Sequence, residues 1–214
     1  MNQSPAPSQP SARLALALDL FERVVVAALL GHFAWRILEN WIETGDFVGL
    51  ILLSSEGAIV VLCLIRRLST EMSMRPADWA LATLGTAMPL LVVPVHGEAL
   101  ASAAVFVPLM LAGSFLQIAA KFTLRRSFGL VAANRGVKVG GPYRLIRHPM
   151  YAGYLMIHIG FLIANPSIWN LAIYSAGLAF QIGRILAEEK ILSRDAAYRE
   201  FARAVPYWFI PRVI

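Results

Sequence analysis

Pro149–Ala187, PMYAGYLMIHIGFLIANPSIWNLAIYSAGLAFQIGRILA, holds two apolar runs, Pro149–Asn165 and Ile168–Ala187, with almost nothing between them. Each approaches the roughly 20 residues needed to cross the hydrocarbon of a bilayer. The Asn165-Pro166-Ser167 link predicts a tight hairpin, because proline stops the first helix and Ser167 can cap the second. Along the second run Ala172, Ala176, Ala179, Gly183 and Ala187 recur every three or four residues. Such small residues let backbones approach closely where lipid removes the hydrophobic drive to pack. The stretch therefore reads as two antiparallel membrane helices.

The rest of the chain agrees. Of its 214 residues 58% are hydrophobic and only 15% charged, against roughly 25% charged in a soluble protein. Four more runs have the character of spans: Leu20–Leu38, Phe47–Ile65, Trp79–Val95 and Leu100–Phe122. The expected fold is an all-α polytopic transmembrane bundle of about six spans. Five remain if the first run, which opens among Asp19, Glu22 and Arg23 and closes at Arg36, lies at the interface. With six spans and the N-terminus inside, every Lys and Arg except Arg36 falls on the cytoplasmic side, as the positive-inside rule asks. Both termini are then cytoplasmic, in the cell inner membrane.

Residues 1–13, with Pro5, Pro7 and Pro10, read as a disordered tail. Residues 14–100 read as N-terminal transmembrane helices, and residues 101–214 as the transmembrane region carrying the chemistry. No cleavage site follows the first apolar run, so it is expected to stay attached. The lone Cys63 permits no internal disulfide. The net charge of +6 is interleaved with spans, which favours anionic membrane lipid over nucleic acid as its counterpart. Beyond Ala187 an apolar stripe of Ile191, Leu192, Tyr198, Phe201 and Val205 alternates with Arg194, Asp195, Arg199, Glu200 and Arg203, predicting an amphipathic helix on the cytoplasmic surface. Pro206 ends it, and Tyr207-Trp208-Phe209-Ile210-Pro211 reads as an aromatic anchor at headgroup depth.

Two polar clusters stand out. The first is Gly140–Gly153, GGPYRLIRHPMYAG. Pro149 suits the first turn of a helix, and the free N–H groups there, with Arg147 and His148, suit a carboxylate or phosphate. Arg147 as a snorkelling anchor is the bland alternative. The second is Arg184 with Glu188 and Glu189, where an ordinary i, i+4 ion pair is the bland alternative. The hairpin changes the balance: it brings both clusters to one depth, so cations and a helix N-terminus face a pair of carboxylates. A zwitterionic nucleoside with a carboxylate, an ammonium, a sulfonium and a ribose diol needs such a set.

Gly-Pro-Tyr, then Arg-His-Pro-x-Tyr-x-Gly, then Glu-Glu after one helical hairpin, then Tyr-x-x-Phe and Val-Pro, resembles the isoprenylcysteine carboxyl methyltransferases and the related phospholipid N-methyltransferases. The resemblance covers roughly residues 110–211. It implies S-adenosylmethionine as cofactor, contacted from one side by Tyr143, Arg147, His148, Pro149, Tyr151 and Gly153 and from the other by Glu188 and Glu189. It implies a lipophilic or prenylated acceptor, for which Arg184, one turn deeper, is the candidate orienting and catalytic group. Methyl transfer would be a direct displacement at the sulfonium methyl. A carboxylate acceptor needs no base and wants a cation, whereas an amine must lose a proton to a nearby acid or His; the residues allow both. A transporter or scaffold is the reading from another class, favoured if Glu56, His32 and His158 line one path across the bilayer. Gln117 and Lys121 can face the cofactor pocket, or Lys121 can snorkel. Gly136, Gly140 and Gly141 read as loop flexibility, His158 as an interior histidine, and no residue set has metal-ligand spacing.

Overall fold

The computed structural model describes residues 12–45, 47–48, 50–51, 53, 75–95, 97–127 and 136–210. Glu56, Cys63, most of the second expected span, and residues 1–11 of the expected tail lie outside them. Six α-helices have described bounds: α1 Ala12–Thr44, α2 Pro76–Ala87, α3 Ala103–Leu124, α4 Pro149–Ala164, α5 Ile168–Leu192 and α6 Ala196–Ala204. No strand occurs among the described residues, whose regular structure is all helical.

Length and composition single out α3: over 22 residues it is long and apolar enough to cross a membrane, while α4 is apolar but shorter, at 16 residues. The expected span Trp79–Val95 is instead the 12-residue α2 followed by a 3-10 turn at Met88–Leu91 and extended chain to Val95. Pro89 lies in that turn and lacks the N–H that α-helix would require. α1 runs 33 residues, well beyond Leu20–Leu38. Its acids turn into the protein: Asp19 and Glu22 are buried, and Arg23 pairs with Asp19 at 2.6 Å. Around the outside stand Leu20, Val24 and Trp35 of α1, Phe115 and Phe122 of α3, and Ile168 and Leu186 of α5, whereas Gln117, Lys121, Asn170 and Arg184 are buried. Apolar outside and polar inside is the distribution required where lipid is the solvent.

Close approach is made by glycine. A Cβ on Gly153 of α4 would lie 2.6 Å from the carbonyl oxygen of Gly113 and from Gln117 Cγ of α3, so α3 and α4 touch backbone to backbone. Gly183 of α5 meets Leu81 of α2, where a Cβ would stand 2.8 Å from a Leu81 methyl. α5 packs chiefly on α2 rather than on its hairpin partner α4. Ala172 and Ala179 of the expected small-residue stripe face outward.

The hairpin link forms as expected: Ser167 caps α5 by accepting from Asn170 N–H at 3.0 Å. Asn170, fully buried, also binds Val93 through both its carbonyl oxygen and its amide and donates to the Asn165 carbonyl. These bonds tie the end of α2's extension to the turn between α4 and α5. The opposite ends of α4 and α5 hold the polar clusters.

Candidate functional site

Arg147 and His148 precede α4, and Glu188 and Glu189 fall in the last turn and a half of α5. The hairpin brings them into direct contact. Glu189 takes Arg147 Nη1 on Oε2 at 2.7 Å, and both His148 Nε2 (2.7 Å) and Tyr198 OH (2.6 Å) on Oε1. Opposite an ionised carboxylate, Nε2 of His148 carries the proton. Burial alone would raise the Glu189 pKa, but the hydrogen bonds from His148 and Tyr198 and the charges of His148 and Arg147 outweigh it and hold the carboxyl below its ordinary range. Burial and the bond to Glu189 push Tyr198 upward, so it remains a donor.

Glu188 is engaged on one oxygen. Tyr151 OH donates to Oε1 at 2.7 Å, and Arg184 Nε lies 3.2 Å from the same atom; no described residue bonds Oε2. The Arg184 guanidinium also stands over the Tyr151 ring at 5.5 Å. Tyr143 is buried nearby in the 3-10 turn Gly141–Arg144, and burial, aided by the charges of Glu188 and Tyr198, raises its pKa.

The open positive pocket expected from Arg147, His148 and free N–H groups is largely closed from within. Arg147 N–H donates to the Tyr207 carbonyl at 2.8 Å and His148 N–H to the Trp208 carbonyl at 3.0 Å. Arg147 also donates to the Pro206 carbonyl at 3.2 Å and stacks over Trp208. The segment after α6 is thus a clasp on the motif as well as an aromatic surface. Likewise Tyr198 and Phe201 of α6 are buried in the protein core instead of lying against lipid, since Glu189 offers the Tyr198 hydroxyl a charged acceptor that lipid lacks.

Other expected residues are placed as follows. Pro149 is the buried first residue of α4. Gly153 faces α3, where its missing side chain is a packing requirement. Lys121 does not snorkel: it is fully buried, donates to Gln117 at 2.9 Å and stands 5.3 Å over Tyr154. His158 is buried and stacked on Tyr174 at 4.3 Å, while His32 is exposed. Gly141 adopts φ +52°, and a Cβ there would sit 2.5 Å from the Thr123 hydroxyl; it answers a backbone demand rather than loop flexibility. The sequence places Tyr198 only on the apolar stripe of α6 and gives the 206–208 carbonyls no role at the site. Only the Tyr-x-x-Phe and Val-Pro signatures pointed to them.

A family model described as phospholipid methyltransferase matches residues 98–199. A search of curated proteins returned no match. The matched segment contains α3, α4 and α5 and every side chain that meets Glu188 or Glu189. Residues 98–199 are thus similar to the phospholipid methyltransferases, part of the group of membrane methyltransferases that also includes the isoprenylcysteine carboxyl methyltransferases.

Proposed function

We propose that the chain is a polytopic enzyme of the cell inner membrane that binds S-adenosylmethionine at its cytoplasmic face, where the start of α4 meets the end of α5. It transfers a methyl group to an amphiphilic acceptor drawn from the bilayer. The observation that carries this reading is the unequal engagement of two neighbouring acids. Glu189 has both oxygens bonded to Arg147, His148 and Tyr198, whereas Glu188 keeps Oε2 for a ligand beside them. The donor set fits the cofactor: Glu188 suits its ammonium or ribose diol, and Arg147, whose Nε is buried without an acceptor among the described residues, suits its carboxylate. Tyr143, Pro149 and Tyr151 would contact the cofactor there, His148 holds Glu189, and Gly153 serves by admitting α3.

Bound S-adenosylmethionine would supply an electrophilic methyl group on its sulfonium. The protein's part is to fix that group against the acceptor and exclude water. Arg184, held by Glu188 and the Tyr151 ring, would orient the acceptor. Carboxyl methylation of an isoprenylcysteine-like acid follows from the resemblance. Methylation of a phospholipid or other lipophilic amine is the alternative, supported by the description of the family model that residues 98–199 match. A transport path gains no support, since His32 is exposed and His158 is occupied by Tyr174.

Purified protein should bind S-adenosylmethionine and lose that binding in Glu188→Ala and His148→Ala; an unchanged affinity in both removes the site from consideration. Labelled methyl in a membrane extract should be released by base if an ester forms and persist if an N-methyl forms.

A further inference from the structure

Lys121 belongs to neither polar cluster, yet it is fully buried in the last turn of α3. A lysine at that position could complement the helix C-terminus and still carry its ammonium out to the headgroups. Here it turns inward, although an ammonium inside an apolar bundle is costly. Its contacts lead to the site. Nζ donates to Gln117 Oε1 at 2.9 Å and stands 5.3 Å over the ring of Tyr154, within the roughly 6 Å over which a ring face attracts a cation. The Tyr154 ring leans on the Tyr151 ring, with centroids 6.5 Å apart and planes at 60°, a spacing at which aromatic pairs attract. Tyr151 in turn donates to Glu188 Oε1 at 2.7 Å and carries the Arg184 guanidinium over its face at 5.5 Å. Two tyrosines one turn apart on α4 are therefore bracketed by two cations, Lys121 from α3 and Arg184 from α5.

We propose that Lys121 is a positioning residue for the cofactor: it pins Tyr154 from α3, Tyr154 backs Tyr151, and Tyr151 holds Glu188 by Oε1 so that Oε2 is left to the ligand. The inference rests on the methyltransferase reading and adds to it a residue outside both motifs. Removing the ammonium takes away the attraction that draws the Tyr154 ring toward α3. The ring can then turn from Tyr151, whose hydroxyl loses its backing against Glu188. That attraction needs a positive charge on one side and an aromatic face on the other. It needs neither the tyrosine hydroxyl nor the exact shape of lysine, which separates it from ordinary packing.

The test measures S-adenosylmethionine affinity by titration calorimetry on the full chain in phosphatidylcholine nanodiscs. Lys121→Met keeps an unbranched apolar stem and removes the charge, and should weaken binding about tenfold. Lys121→Arg, which keeps a cation for the ring, should recover most of that loss. Tyr154→Leu should match Lys121→Met, whereas Tyr154→Phe, which keeps the ring face, should bind as wild type does. The double variant Lys121→Met with Tyr154→Leu should bind no more weakly than either single one, because both cut the same route. Should Lys121→Met fail to fold, the Tyr154 pair decides: weaker binding in Tyr154→Leu than in Tyr154→Phe supports the relay, and equal affinities overturn it. Unchanged affinity in Lys121→Met, an equal loss in Lys121→Arg, or additive losses in the double variant overturn the relay and leave the enzyme standing. Wild-type protein that binds no S-adenosylmethionine overturns the methyltransferase reading, and this inference with it.

Discussion

Glu189→Gln keeps the shape of the side chain while removing its charge and one of its acceptors. The carboxamide oxygen can still sit between His148 and Tyr198, but its NH₂ then faces Arg147 Nη1, donor against donor, where the carboxylate made a 2.7 Å bond. Turned the other way, it abandons His148 and Tyr198 instead. Losing one charge-assisted hydrogen bond costs about 1.5–3 kcal/mol, and demoting the remaining two to neutral bonds costs up to about 1 kcal/mol each. The Glu189 side chain is 15% exposed, so water recovers part of the loss, and about 3 kcal/mol is the expected total. For a chain of this size that lowers the unfolding midpoint by about 6–12 °C. Glu188→Gln is the control: its oxygen can keep both bonds now made to Oε1, so the cost should stay near about 1 kcal/mol. Cofactor affinity should fall most in Glu188→Gln, by about tenfold or more. Scanning fluorimetry of purified protein, with and without S-adenosylmethionine, reads both quantities. Equal midpoint shifts, or the larger shift in Glu188→Gln, would refute the assignment of Glu189 as the clasp and Glu188 as the ligand-facing acid.

Gly153→Ala would drive a methyl into the Gly113 carbonyl and Gln117, and overpacking against backbone should cost at least about 1–3 kcal/mol, visible as a lowered midpoint. Deleting residues 206–214 strips the acceptors from Arg147 N–H and His148 N–H, so proteolysis around residue 147 should accelerate; an unchanged digestion pattern would count against the clasp. Asn170→Leu breaks three hydrogen bonds to Val93 and Asn165 and leaves buried backbone groups unpaired, costing about 3 kcal/mol or more. Because the folded-state pKa of Glu189 is held below its ordinary 4.5, its stabilisation is present above that value and lost as pH falls through the depressed one. Acid unfolding should therefore be shallower in Glu189→Gln than in wild type.

Local rules in the chain already carried much of this. Ser167 after Pro166 specifies a helix start, the apolar runs specify helices, and the hairpin between them directs Arg147-His148 and Glu188-Glu189 toward the same end. Long-range contact decided the rest. Hydropathy cannot show that Pro89 ends α2 early, that α5 packs on α2 instead of α4, or that Asp19 and Glu22 turn inward. An amphipathic stripe says that Tyr198 and Phe201 seek an apolar partner, but not whether that partner is lipid or the protein's own interior. Nor does adjacency distinguish Glu188 from Glu189. Successive residues on a helix point about 100° apart, so one acid is turned toward Arg147, His148 and Tyr198 and the other toward Tyr151 and Arg184, and only the packing of α4, α5 and α6 determines which.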